Sequence, residues 1–436
     1  MRVLVAGAGY VGLTAAACLA SLGLETVCYD VDRARIAGLR AGLVPFREPG
    51  LGEMLRELAP ARLGFTADLP AALPATAAVL ICVGTPSRAD GSADLGPLRR
   101  VAAGLARSLR PGQLVITKST VPPGTNRWLA ARFRRAGVPA RVVANPEFLR
   151  EGSAVADFLT PDRIVLGAAA AEDARAADAL FSALPGPRLV TSWEGAELVK
   201  YGANAFLAVR VSFVNELARL CGSYGADVTE VARGVGLDRR IGTAYLAAGL
   251  GYGGPCLPKD LAALQHAAGA VGQELQIAGA AARVNAGQVE YVAGLLERAL
   301  GGLGGRRVAV LGLSFKGGSD DLRGSPALRL VERLLAAGAQ VRAHDPLALP
   351  AAAAACAGSS GRLEFCADLW QAAADASAVA VATDAPEYRG LDLQRLKACM
   401  AGDVLLDARN ALQPADVERA GLVYVGVGRG AGGAGG

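Results

Sequence analysis

One decapeptide concentrates the reactive chemistry of this chain: Gly251-Tyr252-Gly253-Gly254-Pro255-Cys256-Leu257-Pro258-Lys259-Asp260. Glycines at 251, 253 and 254 let the backbone approach a ligand and take dihedrals that other residues avoid. Pro258 suits a first helical turn, where its missing N–H is not needed, and the residues from Lys259 to Gln265 have helical composition. Cys256 would then sit just outside a helix N-terminus, where the partial positive charge favours a thiolate. Lys259 and Asp260 add a cation and a carboxylate within reach. A glycine-rich turn around an inert buried cysteine has the same spacing, so the rest of the chain must decide.

Other polar residues stand where they could share that chemistry. Lys200 and Asn204 are spaced i,i+4 in a long helical stretch from Glu194 to about Tyr224, so they project from one face. A snorkelling surface lysine is the plainer reading of Lys200; the neighbouring asparagine favours a shared polar site. Glu147 and Glu151 lie in Asn145-Pro146-Glu147-Phe148-Leu149-Arg150-Glu151-Gly152, directly after a strand. With only His266 and His344 in 436 residues, acid–base work falls to carboxylates, lysine or water. A Ser-His-Asp hydrolase and a metal site are not expected.

The elements that must position these groups are legible in order. Met1–Ala6 reads as a buried strand, Gly7-Ala8-Gly9-Tyr10-Val11-Gly12 as a turn, Leu13–Leu22 as a helix and Thr26–Tyr29 as a strand ending at Asp30. Strand, G-x-G-x-x-G, helix, strand and acid form the dinucleotide fingerprint in its confirming context. Gly7 allows the tight turn, Gly9 admits the pyrophosphate, and Gly12 lets helix pack on strand. Asp30 would hold the ribose hydroxyls and so favour NAD over NADP, a preference weakened slightly by Arg33 and Arg35. Further strands, Ala77–Val83, Gln113–Lys118 and Arg141–Ala144, end in polar turns that include Thr85, Pro86, Ser119 and Thr120. Arg163–Gly167 and Arg188–Thr191 complete an expected six or seven strands. A second helical region, Lys259–Leu300, carries Asn285 and Gln288. After the linker Gly301–Gly305, Arg307–Leu311, helix Ala327–Ala337 and Gln340–His344 begin a second doubly wound pattern without a second fingerprint, suited to a different nucleotide.

The expected architecture is α/β: two Rossmann-like doubly wound domains, 1–192 and 301–428, joined by a central helical domain, 193–300, with a long helix, and followed by a disordered glycine-rich tail, 429–436. Hydrophobic residues make up 52% and charged residues 19%, which excludes a disordered chain. The net charge of +5 is spread without a basic block, so a nucleic-acid partner is not expected. Residues 3–24 carry no charge, but glycines interrupt the run and the fingerprint explains it, so neither a signal peptide nor a membrane span is expected. Eight cysteines without a CxxC pair suit a reducing compartment; the cytoplasm is the expected location.

These motifs together resemble the UDP-glucose/GDP-mannose dehydrogenase family. The likeness runs from residue 1 to about 412, through Gly7–Gly12, Lys118–Thr125, Asn145–Gly152, Glu197–Phe206, Gly251–Asp260, Phe315–Pro326 and Asp407–Asn410. It implies NAD-dependent, four-electron oxidation of a nucleotide-sugar 6-alcohol, with UDP-glucose as substrate and GDP-mannose or a UDP-N-acetylhexosamine as alternatives. Cys256 would be the nucleophile; Lys200 and Asn204 would stabilise the oxyanion. Asp260 would orient the water or lysine, Glu147 would serve thioester hydrolysis, and Thr120 would help hold the water and cofactor. Gly7, Gly9, Tyr10, Val11, Gly12, Asp30, Arg35, Thr85, Pro86, Ser119, Thr120, Glu151 and Arg323 would contact NAD. The segment Glu147, Phe148, Leu149, Arg150 and Glu151 would bind the sugar nucleotide together with Lys200, Asn204, Arg240, Tyr252, Gly253, Phe315 and Lys316. Arg409 would reach the substrate of a neighbouring subunit in a homodimer or higher oligomer.

The chain departs from the family pattern at Pro255, where serine is usual, at Leu257, where phenylalanine is common, and at Gly324, where a glutamate usually stands. A binding protein or sensor that keeps both nucleotide sites without turnover is the alternative from another class.

A plain alcohol dehydrogenase stops at the aldehyde. A second oxidation needs a tetrahedral carbon bearing a hydrogen and an oxyanion, and sulfur addition to the aldehyde makes one while tethering it.

Overall fold

The computed structural model describes residues 1–59, 61–356 and 361–429. The chain forms two compact units. The first comprises Met1–Ala203 with Ala262–Glu274, and the second Asn204–Leu261 with Leu275–Gly436. The expected central segment, 193–300, is thus divided between them.

The first unit is built on eight strands: β1 (Arg2–Ala6), β2 (Glu25–Tyr29), β3 (Leu63–Thr66), β4 (Ala78–Ile81), β5 (Leu114–Thr117), β6 (Arg141–Ala144), β7 (Ile164–Ala168) and β8 (Arg188–Thr191). Their order is 3-2-1-4-5-6-7-8. All neighbours run parallel except β6 and β7, which pair antiparallel through Val143 with Ala168 and Ala144 with Gly167. This is one strand more than the upper of the expected six or seven. The sequence reading missed β3, a four-residue strand at the sheet edge with a central glycine and only alternate residues buried.

Alternation along β1 supplies both faces of the sheet. Val3 and Val5 join Leu13, Leu19, Leu80 and Ile116 in one core, and Leu4 and Ala6 join Val79, Ile81, Leu98 and Phe133 in the other. The uncharged run at residues 3–24 is therefore β1, the turn and helix α1 (Tyr10–Ser21), which is buried continuously from Gly12 to Ala20. No helix among the described residues is long and apolar enough to cross a membrane.

The second unit holds a parallel sheet of β9 (Arg307–Leu311), β10 (Gln340–His344), β11 (Leu363–Phe365), β12 (Ala378–Val381), β13 (Val404–Asp407) and β14 (Val423–Gly426). Its order, 11-10-9-12-13-14, repeats the doubly wound 3-2-1-4-5-6 arrangement. In each sheet the strand order reverses beside the first strand, so the loops after β1 and β4, and after β9 and β12, are where a ligand binds in this architecture.

Helix α2 (Thr125–Arg135) connects β5 to β6; between the sheets in sequence lie α3 (Trp193–Tyr224), α4 (Leu257–Gly269), α5 (Gln276–Ala286) and α6 (Gln288–Leu300), and α7 (Pro326–Ala336) follows β9. The single helical region expected over 259–300 is three helices, broken at a glycine-containing turn and at Gly287. The boundary between the units falls inside α3 and again inside α4. The expected disorder of the tail does not extend to Arg429, whose Nε donates to Asp227 Oδ2 at 3.0 Å and whose Nη1 donates to the Leu412 carbonyl at 2.8 Å. Residues 430–436 lie outside the described residues.

The last two glycines of the first turn make opposite predictions. A Cβ on Gly12 would lie 1.8 Å from the Gly7 carbonyl oxygen, whereas one on Gly9 would meet nothing within 4 Å. Gly12→Ala should destabilise the protein by about 1–3 kcal/mol. Gly9→Ala, whose φ of −79° suits alanine, should keep the melting temperature and lose dinucleotide affinity. Thermal melts with cofactor titrations check both outcomes.

Candidate functional site

In the first unit, a cleft of about 660 Å³ opens at the switch point of the sheet, lined by Gly7, Asp30, Arg33, Thr66, Val83 and Pro97 among others. The Asp30 carboxylate at the end of β2 accepts from Ala8 N at 2.7 Å and from Asp32 N at 3.0 Å. Arg35 Nη1 approaches it at 3.5 Å. Helix α1 starts at the turn with no side chain capping it and no acidic residue in its first turn, which leaves its positive end to an anion. The open space over Gly9 and the cleft size fit the pyrophosphate and adenosine of NAD.

Tyr10 and Val11 begin α1 as expected, but the Tyr10 side chain is drawn to Glu48, a residue the sequence reading passed over. The Tyr10 hydroxyl bonds Glu48 Oε2 and accepts from Gly152 N at 2.9 Å; Glu48 Oε2 also accepts from Gly152 N, at 2.8 Å. Burial first, and then this bond to Glu48, push the Tyr10 hydroxyl well above the ordinary phenol range. Glu48 thereby ties the segment after β6, with Glu151, to the dinucleotide turn.

The loops after β4 and β5 interlock. Thr85 Oγ1 donates to the Thr120 carbonyl at 2.7 Å, Ser119 Oγ donates to the Val83 carbonyl at 2.7 Å, and the Pro86 carbonyl accepts from Asp94 N. Just beyond β5 lies a cation to which the sequence analysis assigns no site role. Lys118 is buried, its Nζ donates to Asn145 Oδ1 at 2.9 Å, and the rings of Phe158 and Phe181 lie 5.5 and 5.4 Å away. Desolvation lowers its pKa from the usual lysine value. Its position beside Asn145, at the ends of two paired strands, was the available signal.

Glu147 and Lys200 are brought together in the first unit. Both are buried, with Lys200 Nζ 3.1 Å from Glu147 Oε1. Glu147 Oε2 accepts from Leu149 N at 2.6 Å, so the turn folds back on its own carboxylate. The Phe148 ring lies 5.4 Å from Lys200 Nζ and 3.6 Å from the Arg163 guanidinium. Arg150 faces solvent in a 2.6 Å pair with Asp157.

In the second unit, the Cys256 carbonyl accepts from Asp260 N at 2.8 Å, which makes Cys256 the residue that opens α4. It is exposed, and none of the eight cysteines forms a disulfide. One turn on, the carboxylate of Asp260, 1% exposed, accepts from Asn204 Nδ2 at 2.6 Å on one oxygen and bonds Lys259 Nζ on the other. Lys200 and Asn204 are thus successive turns of α3, each held by its own carboxylate.

The glycine cassette ahead of Cys256 is clamped on three sides. Asn285 at the end of α5 accepts from Tyr252 N at 2.8 Å and donates to the Tyr252 carbonyl at 3.0 Å. Gln288 at the start of α6 donates to the Gly249 carbonyl at 2.7 Å. A Cβ on Gly253 would lie 2.1 Å from the Gly324 carbonyl oxygen, and one on Gly254 would strike the Phe315 ring at 2.7 Å. Gly254 N donates to the Arg323 carbonyl at 3.0 Å. The loop after β9 is therefore the floor of the cassette, and Gly324, at φ +59°, supplies a left-handed turn in it.

The Arg409 guanidinium is half-buried and donates to the carbonyls of Ala382, Gly251 and Phe315 at 2.9, 3.2 and 3.3 Å. It pins cassette, floor and sheet together, and desolvation lowers its pKa. Arg240 lies exposed in a fork with Asp238, Arg323 pairs with Asp321, and Lys316 Nζ lies 5.5 Å from the Phe315 ring.

A dinucleotide turn in one unit and a cysteine at a helix N-terminus in the other define an NAD-dependent oxidoreductase equipped with a thiol. Three models of one family match in succession: the UDP-glucose/GDP-mannose dehydrogenase family NAD binding domain over residues 1–185, its central domain over 194–287 and its UDP binding domain over 309–414. The chain is 44% identical, over 98% of its own length and 98% of the relative's, to the UDP-glucose 6-dehydrogenase of Pseudomonas aeruginosa. A UDP-glucose dehydrogenase from the archaeon Pyrobaculum islandicum superposes with a TM-score of 0.90 at 41% identity, covering 98% of this chain and 97% of that one. A UDP-D-ManNAc dehydrogenase from Pyrococcus horikoshii gives 0.88 at 30% identity, covering 99% and 100%. The chain belongs to the UDP-glucose/GDP-mannose dehydrogenase family.

One buried carboxylate has a pH signature. Desolvation lifts Glu197, on α3, from 4.5 to about 7 against the lowering effect of its hydrogen bonds. The folded state thus binds a proton here that the unfolded state has released, and this group's stabilisation falls as pH rises from 4.5 through 7. His344, whose pKa burial lowers, acts in the opposite sense over part of that window. The difference between wild type and Glu197→Gln therefore isolates Glu197: chemical denaturation from pH 5 to 8 should show the variant gaining stability relative to wild type as pH rises.

Proposed function

We propose that this protein oxidises the 6-hydroxymethyl group of UDP-glucose to the carboxylate of UDP-glucuronate. The observation that carries the reading is Cys256, exposed at the mouth of α4 beside the buried Asn204–Asp260 pair, on a loop whose backbone is clamped. A sensor without turnover gives no reason for that arrangement. The similarity to UDP-glucose 6-dehydrogenases over almost the whole chain supports UDP-glucose over the alternative sugars.

Residues 1–192 serve the dinucleotide, 301–428 the UDP moiety, and 193–300 the reacting carbon. NAD, when bound, accepts the two electrons of each oxidation. Gly7–Gly12, Asp30, Arg35, Thr85, Pro86, Ser119, Thr120, Glu151 and Arg323 hold it; Tyr252, Gly253, Phe315, Lys316, Arg240 and the 147–151 segment hold the sugar nucleotide.

The Cys256 sulfur adds to the carbon of the intermediate aldehyde and forms a thiohemiacetal. Lys200 and Asn204 donate to its oxyanion; such donors are worth about 2.7–4 kcal/mol when one is removed. The second oxidation leaves a thioester on Cys256. Glu147 takes a proton from a water that attacks this carbonyl, Asp260 orients the water or lysine, Thr120 helps hold it, and the sulfur leaves. One alcohol, two NAD and one water become one carboxylate, two NADH and three protons.

Homodimerisation completes the reading. Phe206, Phe213 and Leu220 recur every seven residues along α3 and are 62%, 52% and 54% exposed, a stripe suited to the same stripe on a second copy. Cysteines without disulfides support a reducing compartment, the cytoplasm.

Supplied with a panel of nucleotide sugars, the protein should use UDP-glucose best and form two NADH per sugar. One NADH per sugar, or preference for GDP-mannose or a UDP-N-acetylhexosamine, would reject the assignment. Cys256→Ala should lose UDP-glucuronate formation by at least about 10³-fold while NAD binding persists in calorimetry. For the dimer, sedimentation should give twice the chain mass, reduced to one by joint Phe206→Asp and Phe213→Asp; a wild-type monomer would exclude it.

A further inference from the structure

Glu197 lies one turn before Lys200 on α3, and the reaction above does not use it. It is 3% exposed. One oxygen accepts from Gly124 N at 2.7 Å; the other accepts from Asn126 N at 2.8 Å and Asn126 Nδ2 at 2.7 Å. A helix-capping carboxylate is normally ionised at neutral pH, yet desolvation holds this one near 7, where it can exchange a proton.

Glu197 also lines a small cavity of about 10 Å³, together with Thr117, Thr120, Asn126 and Lys200. That is room for about one water molecule. Two polar atoms of the lining residues, Thr117 Oγ1 and Asn126 Oδ1, are buried without a hydrogen-bond partner among the described residues. Thr117 is 2% exposed and Asn126 fully buried. One water can donate to the Asn126 oxygen and bond the Thr117 hydroxyl, which removes the penalty of leaving both unmade.

We propose that this cavity binds one structural water, and that this water and Glu197 form a proton exit from Lys200. The relay rests on the oxidation proposed above; the water site does not. Three protons leave for each sugar oxidised. In one passage, the Lys200 ammonium gives a proton to the water, the water gives one to the Glu197 carboxylate, and Lys200 is left neutral with Glu197 protonated. Glu197 then releases its proton to solvent, and Lys200 takes the next from the substrate. The charged groups around Glu197 are Lys200 and Glu194 on α3 and Arg127 on α2. Glu147 and Lys118 act on it through Lys200.

Two variants separate this relay from simple capping of α2. Glu197→Gln removes the titrating group, and Thr117→Val removes one partner of the water while leaving every bond of the cap. A high-resolution crystal structure should show a water bonded to Thr117 Oγ1 and Asn126 Oδ1 that is absent from Thr117→Val; an empty wild-type cavity overturns the proposal. Infrared titration should show a carboxyl band lost near pH 7, absent in Glu197→Gln and shifted in Thr117→Val. No such band overturns the assignment of the proton to Glu197. With UDP-glucose and NAD, Thr117→Val should keep its melting temperature and KM values, lose about 10- to 100-fold in kcat and show a larger solvent isotope effect. Unchanged kcat and isotope effect overturn the relay. If wild type does not oxidise UDP-glucose, the functional reading fails on its own, while the crystal and infrared results still judge the site.

Discussion

A buried ionised side chain is stable only when a partner replaces its water, and that constraint shapes the polar ends of this fold. Taking a charge out of water costs several kcal/mol unless geometry and hydrogen bonds compensate. Each buried titratable group at the site is accordingly fixed: Lys200 by Glu147 at 3.1 Å, Lys118 by Asn145, Asp260 by Asn204 and Lys259, and Glu197 by three N–H donors. Removing one partner would strand the other. The same bonds that satisfy burial thus hold candidate oxyanion donors and carboxylates in place before any substrate arrives, which is the preorganisation that electrostatic catalysis needs.

The second device is steric. Near Cys256 the backbone at Gly251, Gly253 and Gly254 comes too close to Asn285, Gly324 and Phe315 for a Cβ at those positions. Asn285 bonds the Tyr252 amide and carbonyl, Arg409 the Gly251 carbonyl, and Gln288 the Gly249 carbonyl just before them. A loop rich in glycine is ordinarily mobile; here side chains from α5, α6 and β13's end remove that freedom. Pro255 and Pro258 restrict the two positions flanking Cys256–Leu257. The sulfur is therefore presented by a rigid support, on a residue that is itself exposed.

How much of this was legible depended on sequence distance. The dinucleotide turn, Asp30 at the end of β2 and the strand-end position of Glu147 are local patterns, and the sequence carried them directly. Cys256 at a helix start followed from Pro258 and the residues after it. Edge strand β3 was not legible, because four residues with a glycine give no period. Nor were the tasks of Glu48, Asn285 and Arg409: each acts on backbone 30 to 160 residues away in sequence, and only the fold brings such partners together. Lys118 and Glu197 each open a motif in the sequence, and only their burial shows what their pairing must do.

The central claim is that one sulfur carries the half-oxidised sugar into a second oxidation. Its most direct measurement is intact-protein and peptide mass spectrometry of protein acid-quenched during turnover of UDP-glucose with NAD. The account predicts an acyl adduct of the UDP-glucuronosyl mass, confined to the peptide containing Cys256 and enriched when Glu147→Gln slows hydrolysis. Full turnover with no adduct in either protein, or an adduct on another residue, would contradict it.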